Sequence, residues 1–158
     1  MADVIRVIIV DDESLVRAAL RVFLESADGF ELVGEADNGA DAVTLVRAVK
    51  PDVVLMDVQM PTMDGIEATR RLTQEFPGIK VVALTTFSAE RVIVPMLSAG
   101  ASGYLVKDTS PDRILDAARL AHEGGYVLSP RVAKELISSV QTGDAGTPRS
   151  LGRDEELT

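Results

Sequence analysis

The chain has 158 residues, a formal net charge of −9, 46% apolar residues and 26% charged ones. That composition is globular rather than disordered and the length suits one ordinary domain, while the acidic balance argues against a broad basic surface for nucleic acid. With no Cys and a single His, His122, disulfides and thiolate metal sites are excluded and a histidine-based metal centre is disfavoured.

No apolar run approaches the roughly 18 residues that a spanning helix needs. The opening MADVIRVIIVDDE meets charge at once and has no basic stretch before its apolar run, so it does not read as a signal peptide. Ile5–Val10 then reads as a strand. Ser14–Ser26 carries Leu15, Ala19, Val22 and Phe23 at helical spacing, with Gly29 beyond its end. Leu32–Ala36 is a second strand. Gly39–Val49 is a helix with Ala42, Val43, Val46 and Val49 inward, and it stops before Pro51.

Asp52–Met56 has the continuous apolar character of a parallel strand covered on both faces. A helix over Asp64–Glu75 follows, then the Pro77-Gly78 break and a strand at Val81–Leu84. The next helix is expected from about Ala89 to Ala99, and Pro95 inside it requires either a late start near Val94 or a kink. Tyr104–Val106 is a short strand. Pro111–Glu123 is a helix with Pro in its first turn and Gly124-Gly125 after its last. Pro130–Val140 reads as a further helix with Ser129 as a possible cap; it either covers the sheet edge or begins a connector. QTGDAGTPRSLGR, at 141–153, has the composition of an exposed linker and is expected to lead to a further domain.

Strands alternating with helices predict an open, doubly wound α/β sheet, in which chemistry gathers beyond the carboxyl ends of the strands. Asp11, Asp12, Asp57, Thr85 and Lys107 all follow strand ends. Any one such Asp is more often a turn or cap residue, so the inference rests on the set. Converging carboxylates repel one another unless solvated or relieved by a hard cation, and Mg²⁺ is the natural one for an oxygen-rich site. A carboxylate with a lysine and a hydroxyl beside it fits a phosphoryl acceptor, with Asp57 as nucleophile and Lys107 and Thr85 holding the product.

Four segments carry a resemblance over roughly residues 4–124. VDDE at 10–13, MDVQMPTMDG at 56–65, LTTF at 84–87 and GASGYLVKD at 100–108 resemble the ordered motifs of response-regulator receiver domains of bacterial two-component signalling. The resemblance implies a flavodoxin-like, five-stranded parallel sheet of order 2-1-3-4-5 over residues 1–126, with an additional helix over 127–141 and a linker over 142–158. It implies Asp57 as phosphoacceptor and Mg²⁺ held by the Asp12 and Asp57 side chains and the Gln59 backbone carbonyl, with Asp11 contributing mainly through water. Thr85 and Tyr104 would be the switch pair, Tyr104 rotating inward on phosphorylation, while Gln59 and Phe87 would tune the lifetime of the acyl phosphate. A sensor histidine kinase is then the donor, homodimerisation the response, and the cytoplasm the compartment.

The segment from 84 onward looks most like the LuxR/NarL-type subclass, whose receiver is joined to a helix-turn-helix output domain; DNA binding would belong to that domain, which lies outside this sequence. Three other readings compete: a stand-alone receiver acting by protein contact, an atypical receiver that is never phosphorylated, and a phosphatase or mutase passing through an aspartyl phosphate. The last would usually place a carboxylate two residues after the nucleophile, where this chain has Gln59.

Overall fold

A computed structural model describes residues 4–86 and 90–142. Its elements are β1 (Ile5–Val10), α1 (Ser14–Ser26), β2 (Phe30–Ala36), α2 (Gly39–Val49), β3 (Val53–Asp57) and α3 (Gly65–Glu75). They are followed by β4 (Lys80–Thr85), α4 (Glu90–Ser98), β5 (Gly103–Val106), α5 (Pro111–His122), β6 (Val127–Leu128) and α6 (Pro130–Thr142). The strands form one parallel sheet of order β2-β1-β3-β4-β5-β6. The expected order 2-1-3-4-5 is therefore present, extended by a sixth strand from a stretch in which the sequence indicates only the helix that follows.

Strand periodicity explains why the centres of β1, β3 and β4 read as continuous apolar runs. Successive side chains point to opposite faces, and both faces are covered. Val7, Ile9, Val53, Leu55, Val82, Leu84 and Leu105 belong to one apolar cluster with Leu20 and Leu24 of α1 and Ile114 and Ala118 of α5. Ile8, Val10, Val54, Met56, Val81, Ala83 and Tyr104 belong to the other, with Val46, Leu72, Met96 and Val132 from α2, α3, α4 and α6. Each fully buried Val, Leu or Ile contributes about 1.5–3 kcal/mol relative to exposure, so the central strands anchor the fold.

Three local features depart from the sequence pattern. In α1 the buried residues are Leu20 and Leu24, while Leu15 and Val22 are 81% and 58% exposed. The β1–β2 register shifts between Val7 and Ile8. Gly34 lies next to the shift on the partner strand, and a Cβ on it would come within 2.9 Å of the Leu45 side chain, so a larger residue would have to push that side chain of α2 aside. α4 starts at Glu90 and runs through Pro95 rather than starting near Val94, although that residue has no N–H to give to the preceding turn. Of its apolar group, Ile93 and Met96 are core and Val94 is exposed.

α6 packs on α4 and β5, and Val132 in its first turn is fully buried. Val132→Ala should therefore cost about 1–3 kcal/mol, whereas Ile137→Ala, 57% exposed on the same helix, should stay within about 0.5 kcal/mol. Urea unfolding of both variants checks this; equal effects would mean that α6 does not share the core.

Candidate functional site

The parallel sheet brings the carboxyl ends of β1, β3, β4 and β5 to one edge. Asp11 follows β1, with its N–H donating to Ala36 O at 3.1 Å, and Asp57 is the last residue of β3. Lys107 follows β5, with its N–H donating to Thr85 O at 2.7 Å. Asp11, Asp57 and Thr85 are buried, and Asp12 is exposed. Each of Asp11, Asp12 and Asp57 offers a carboxylate oxygen within 4.8 Å of the others. A cavity of about 200 Å³ opens over them, lined by Asp12, Glu13, Asp57, Gln59, Thr85 and Lys107.

The loop after Asp57 is shaped by close backbone approach. Gly65 N donates to Val58 O at 2.7 Å, and a Cβ on Gly65 would lie 2.1 Å from the Asp57 carbonyl oxygen. Only glycine permits this contact, which holds the start of α3 against the end of β3. Asp64 caps that helix, its side chain accepting from Glu67 N at 2.9 Å. Between them Thr62 has φ 69, and Met63 N donates to Pro61 O at 2.7 Å. That is a tight, strained turn for a β-branched residue.

Electrostatically the site is a group of acids around one base. The Lys107 ammonium lies 2.7 Å from Asp11 Oδ2, 3.4 Å from Glu13 Oε1 and 3.4 Å from Asp57 Oδ2. Burial would lower the Lys107 pKa, but its hydrogen bond to Asp11 and the charges of Asp57, Asp11 and Glu13 raise it above the ordinary value. Burial and then the Asp11 charge push Asp57 up to about 7, against the opposing pull of Lys107. The remaining hydrogen bond on its carboxylate comes from Val58 N, at 2.9 Å to Oδ1.

Tyr104 is wholly buried. Its hydroxyl has no hydrogen bond of full geometry, and burial pushes its pKa up to about 12, with the neighbouring Thr85 side chain pulling the other way. Thr85 and Tyr104 are thus brought together, with the ring already inward. Gln59 is exposed at the cavity. Phe87 lies outside the described residues, as do residues 143–158.

Two contributors escaped the sequence reading. Glu13 sits in the VDDE segment but carries no strand-end signal of its own. Arg17 donates from Nη1 to the Asp11 carbonyl at 2.7 Å. Its position in the first turns of α1, facing back toward β1, is the only signal that marks it.

A doubly wound parallel sheet with an acidic pocket and a lysine at its carboxyl edge defines a receiver-type domain. Residues 7–119 match the response regulator receiver domain, and the chain belongs to that family. It is 40% identical over 154 residues to the response regulator GacA of Pseudomonas viridiflava, covering 97% of this chain and 72% of that protein. It is 38% identical over 136 residues to the transcriptional regulatory protein YhcZ of Bacillus subtilis, covering 86% of this chain and 63% of that one. Among solved structures, it is similar to a two-component response regulator of the LuxR family from Aurantimonas sp. SI85-9A1. The TM-score there is 0.83 with 31% identity, covering 88% of this chain and 99% of that one. The chain is thus a receiver domain of two-component response regulators, close to LuxR/NarL-type regulators.

Two measurements test the site. Because the folded pKa of Asp57 is raised above its unfolded value, its contribution to stability is full below about pH 4 and is lost as pH rises through about 7. In EDTA, Asp57→Asn should therefore be more stable than wild type at pH 8, by on the order of a few kcal/mol, and the gap should close toward pH 4. A wild type more stable than the variant at pH 8 would show that Lys107 outweighs burial. Separately, Gly65→Ala should cost about 1–3 kcal/mol by urea unfolding. Gly78→Ala, whose Cβ would meet nothing within 4 Å, should be near neutral; a mild effect at Gly65 would mean that the loop yields easily.

Proposed function

We propose that Asp57 is the phosphoacceptor of a two-component response regulator. The observation that carries this is a buried carboxylate at the sheet's carboxyl edge, 3.4 Å from a lysine ammonium, with two further carboxylates close by. The donor is the phosphohistidine of a sensor histidine kinase. An Asp57 oxygen bonds to phosphorus as the P–N bond breaks, and the imidazole nitrogen leaves with the electron pair. Lys107 meets the phosphoryl oxygens and Thr85 donates its hydroxyl to one of them.

The donor set fits Mg²⁺, which prefers oxygen ligands and is held by few carboxylates. The Asp12 and Asp57 side chains and the Gln59 carbonyl would hold it, with Asp11 acting through water. When bound, the ion neutralises charge on the transferring oxygens. Gln59 and Phe87 set how readily water reaches the acyl phosphate. The chain is a phosphoacceptor with slow self-dephosphorylation rather than an enzyme with turnover on separate substrates.

A phosphoryl group adds roughly two negative charges and three acceptor oxygens. Thr85 turning toward it fixes Tyr104 inward and biases the face formed by α4, β5 and α5. The output is homodimerisation and control of DNA binding by a helix-turn-helix domain after residue 158, in a cytoplasmic transcription regulator; residues 1–126 are the receiver unit and the stretch from 127 leads to that domain. The relatives named as regulators, of which this chain spans 63% to 72%, support that reading. Among the described residues no helix is long and apolar enough to cross a membrane.

The inward Tyr104 favours one second reading, an atypical receiver set in its output state without phosphate. Intact mass after incubation with acetyl phosphate decides between them. Wild type with Mg²⁺ should gain one phosphoryl group, and Asp57→Asn or EDTA should abolish the gain. A folded wild type that gains nothing would favour the atypical receiver.

A further inference from the structure

Glu13 has no part in the function proposed above, yet the structure builds it into the pocket. Its backbone N–H donates to Asp11 Oδ1 at 2.9 Å, which anchors the residue beside the buried acid. Its carboxylate lies 3.4 Å from Lys107 Nζ and lines the same cavity as Asp12, Asp57, Gln59 and Thr85. The Glu13 side chain is 61% exposed, against 3% for Asp11. Glu13 is therefore open to water at the cavity, while Asp11 is buried beside it.

An ammonium has three N–H donors, and here three carboxylates surround it. For Lys107 to meet a phosphoryl oxygen, at least one of these contacts has to loosen. The Glu13 contact is the one that water most readily replaces. While it persists, it competes for the ammonium and sets a negative charge in the path of an anionic donor.

We infer that Glu13 is a positioning residue for Lys107 that also selects against highly charged phosphodonors. It holds the ammonium toward Asp11 in the unphosphorylated chain and slows phosphoryl entry, more so for donors of higher negative charge. This rests on the phosphoacceptor reading of Asp57.

The test compares initial phosphorylation rates with acetyl phosphate, largely dianionic near neutral pH, and phosphoramidate, which carries less net charge there. In both, an Asp57 oxygen bonds to phosphorus as the bond to the leaving group breaks. Acetate leaves with the electron pair in one case and ammonia in the other. Glu13→Gln should react about two- to fivefold faster with acetyl phosphate, the size an exposed ion pair supports. The gain should be smaller with phosphoramidate, and the acetyl phosphate gain should shrink as salt rises. Glu13→Asp keeps the charge but shortens the arm to Lys107, so it should give a modest gain that is equal for both donors. Rates unchanged in Glu13→Gln would overturn the inference while leaving Asp57 as acceptor. So would slower reaction together with a higher Mg²⁺ requirement, which would make Glu13 part of the metal site. A folded wild type labelled by neither donor would overturn the acceptor reading and this inference with it.

Discussion

One ammonium among three carboxylates is the constraint on which the rest of the site depends. Asp11 and Asp57 are buried at a sheet edge, where charge is costly, and among the described residues Lys107 is the cation paired with both. Its place is set by backbone rather than by side-chain choice, since its N–H closes onto Thr85 O just past the β4–β5 pairing. A parallel sheet makes that geometry general: strands running the same way end on the same side, so residues that follow β1, β3, β4 and β5 meet at one edge. The balance is incomplete. A single positive charge does not cancel three negative ones, and the Asp57 pKa is raised first by burial and then by the Asp11 charge. A site left with surplus negative charge is receptive to a hard cation, and the Asp57 carboxylate is held by few hydrogen bonds.

What was legible in the sequence follows from period and punctuation. Asp11, Asp57 and Lys107 stand out because each comes at the end of a largely apolar strand, and a strand buried on both faces has to be largely continuous in apolar residues. The phase of α1 was not legible. Leu15 and Val22 repeat at helical spacing as well as Leu20 and Leu24 do, and only the position of the sheet decides which pair is buried. β6 was too short to leave a pattern, since its two residues, Val127 and Leu128, have no alternation to read. Pro95 argued for a late start or a kink in α4. The late start is excluded, since α4 begins at Glu90 and runs through Pro95, with Ile93 and Met96 packed in the core. Glu13 was invisible for a different reason: an acidic residue before a helix is ordinary, and nothing local says that a lysine 94 positions away will reach it.

The same burial that defines the pocket also ties it to the far edge of the sheet. Tyr104 pairs in register with Leu128 of β6, and its carbonyl accepts from Ser129 N at 3.2 Å, immediately before α6. Its ring lies in the apolar cluster that holds Ile93 and Met96 of α4 and Val132 of α6. Contact alone is not coupling; a signal needs an element with two arrangements that both ends bias. The hydroxyl of Tyr104 is buried without a hydrogen bond of full geometry, so the inward ring lacks one satisfied polar group. A change in the orientation of Thr85, its polar neighbour, alters that deficit directly. Close-packed interiors do not deform continuously, so a ring that moves must displace what it touches. Two of the elements it packs with are α4, which carries a proline in mid-helix, and α6, which leads out of the described structure. The acidic pocket and the α4 and α6 side of the sheet thus meet at one buried side chain, because Tyr104 lies on the strand next to Thr85.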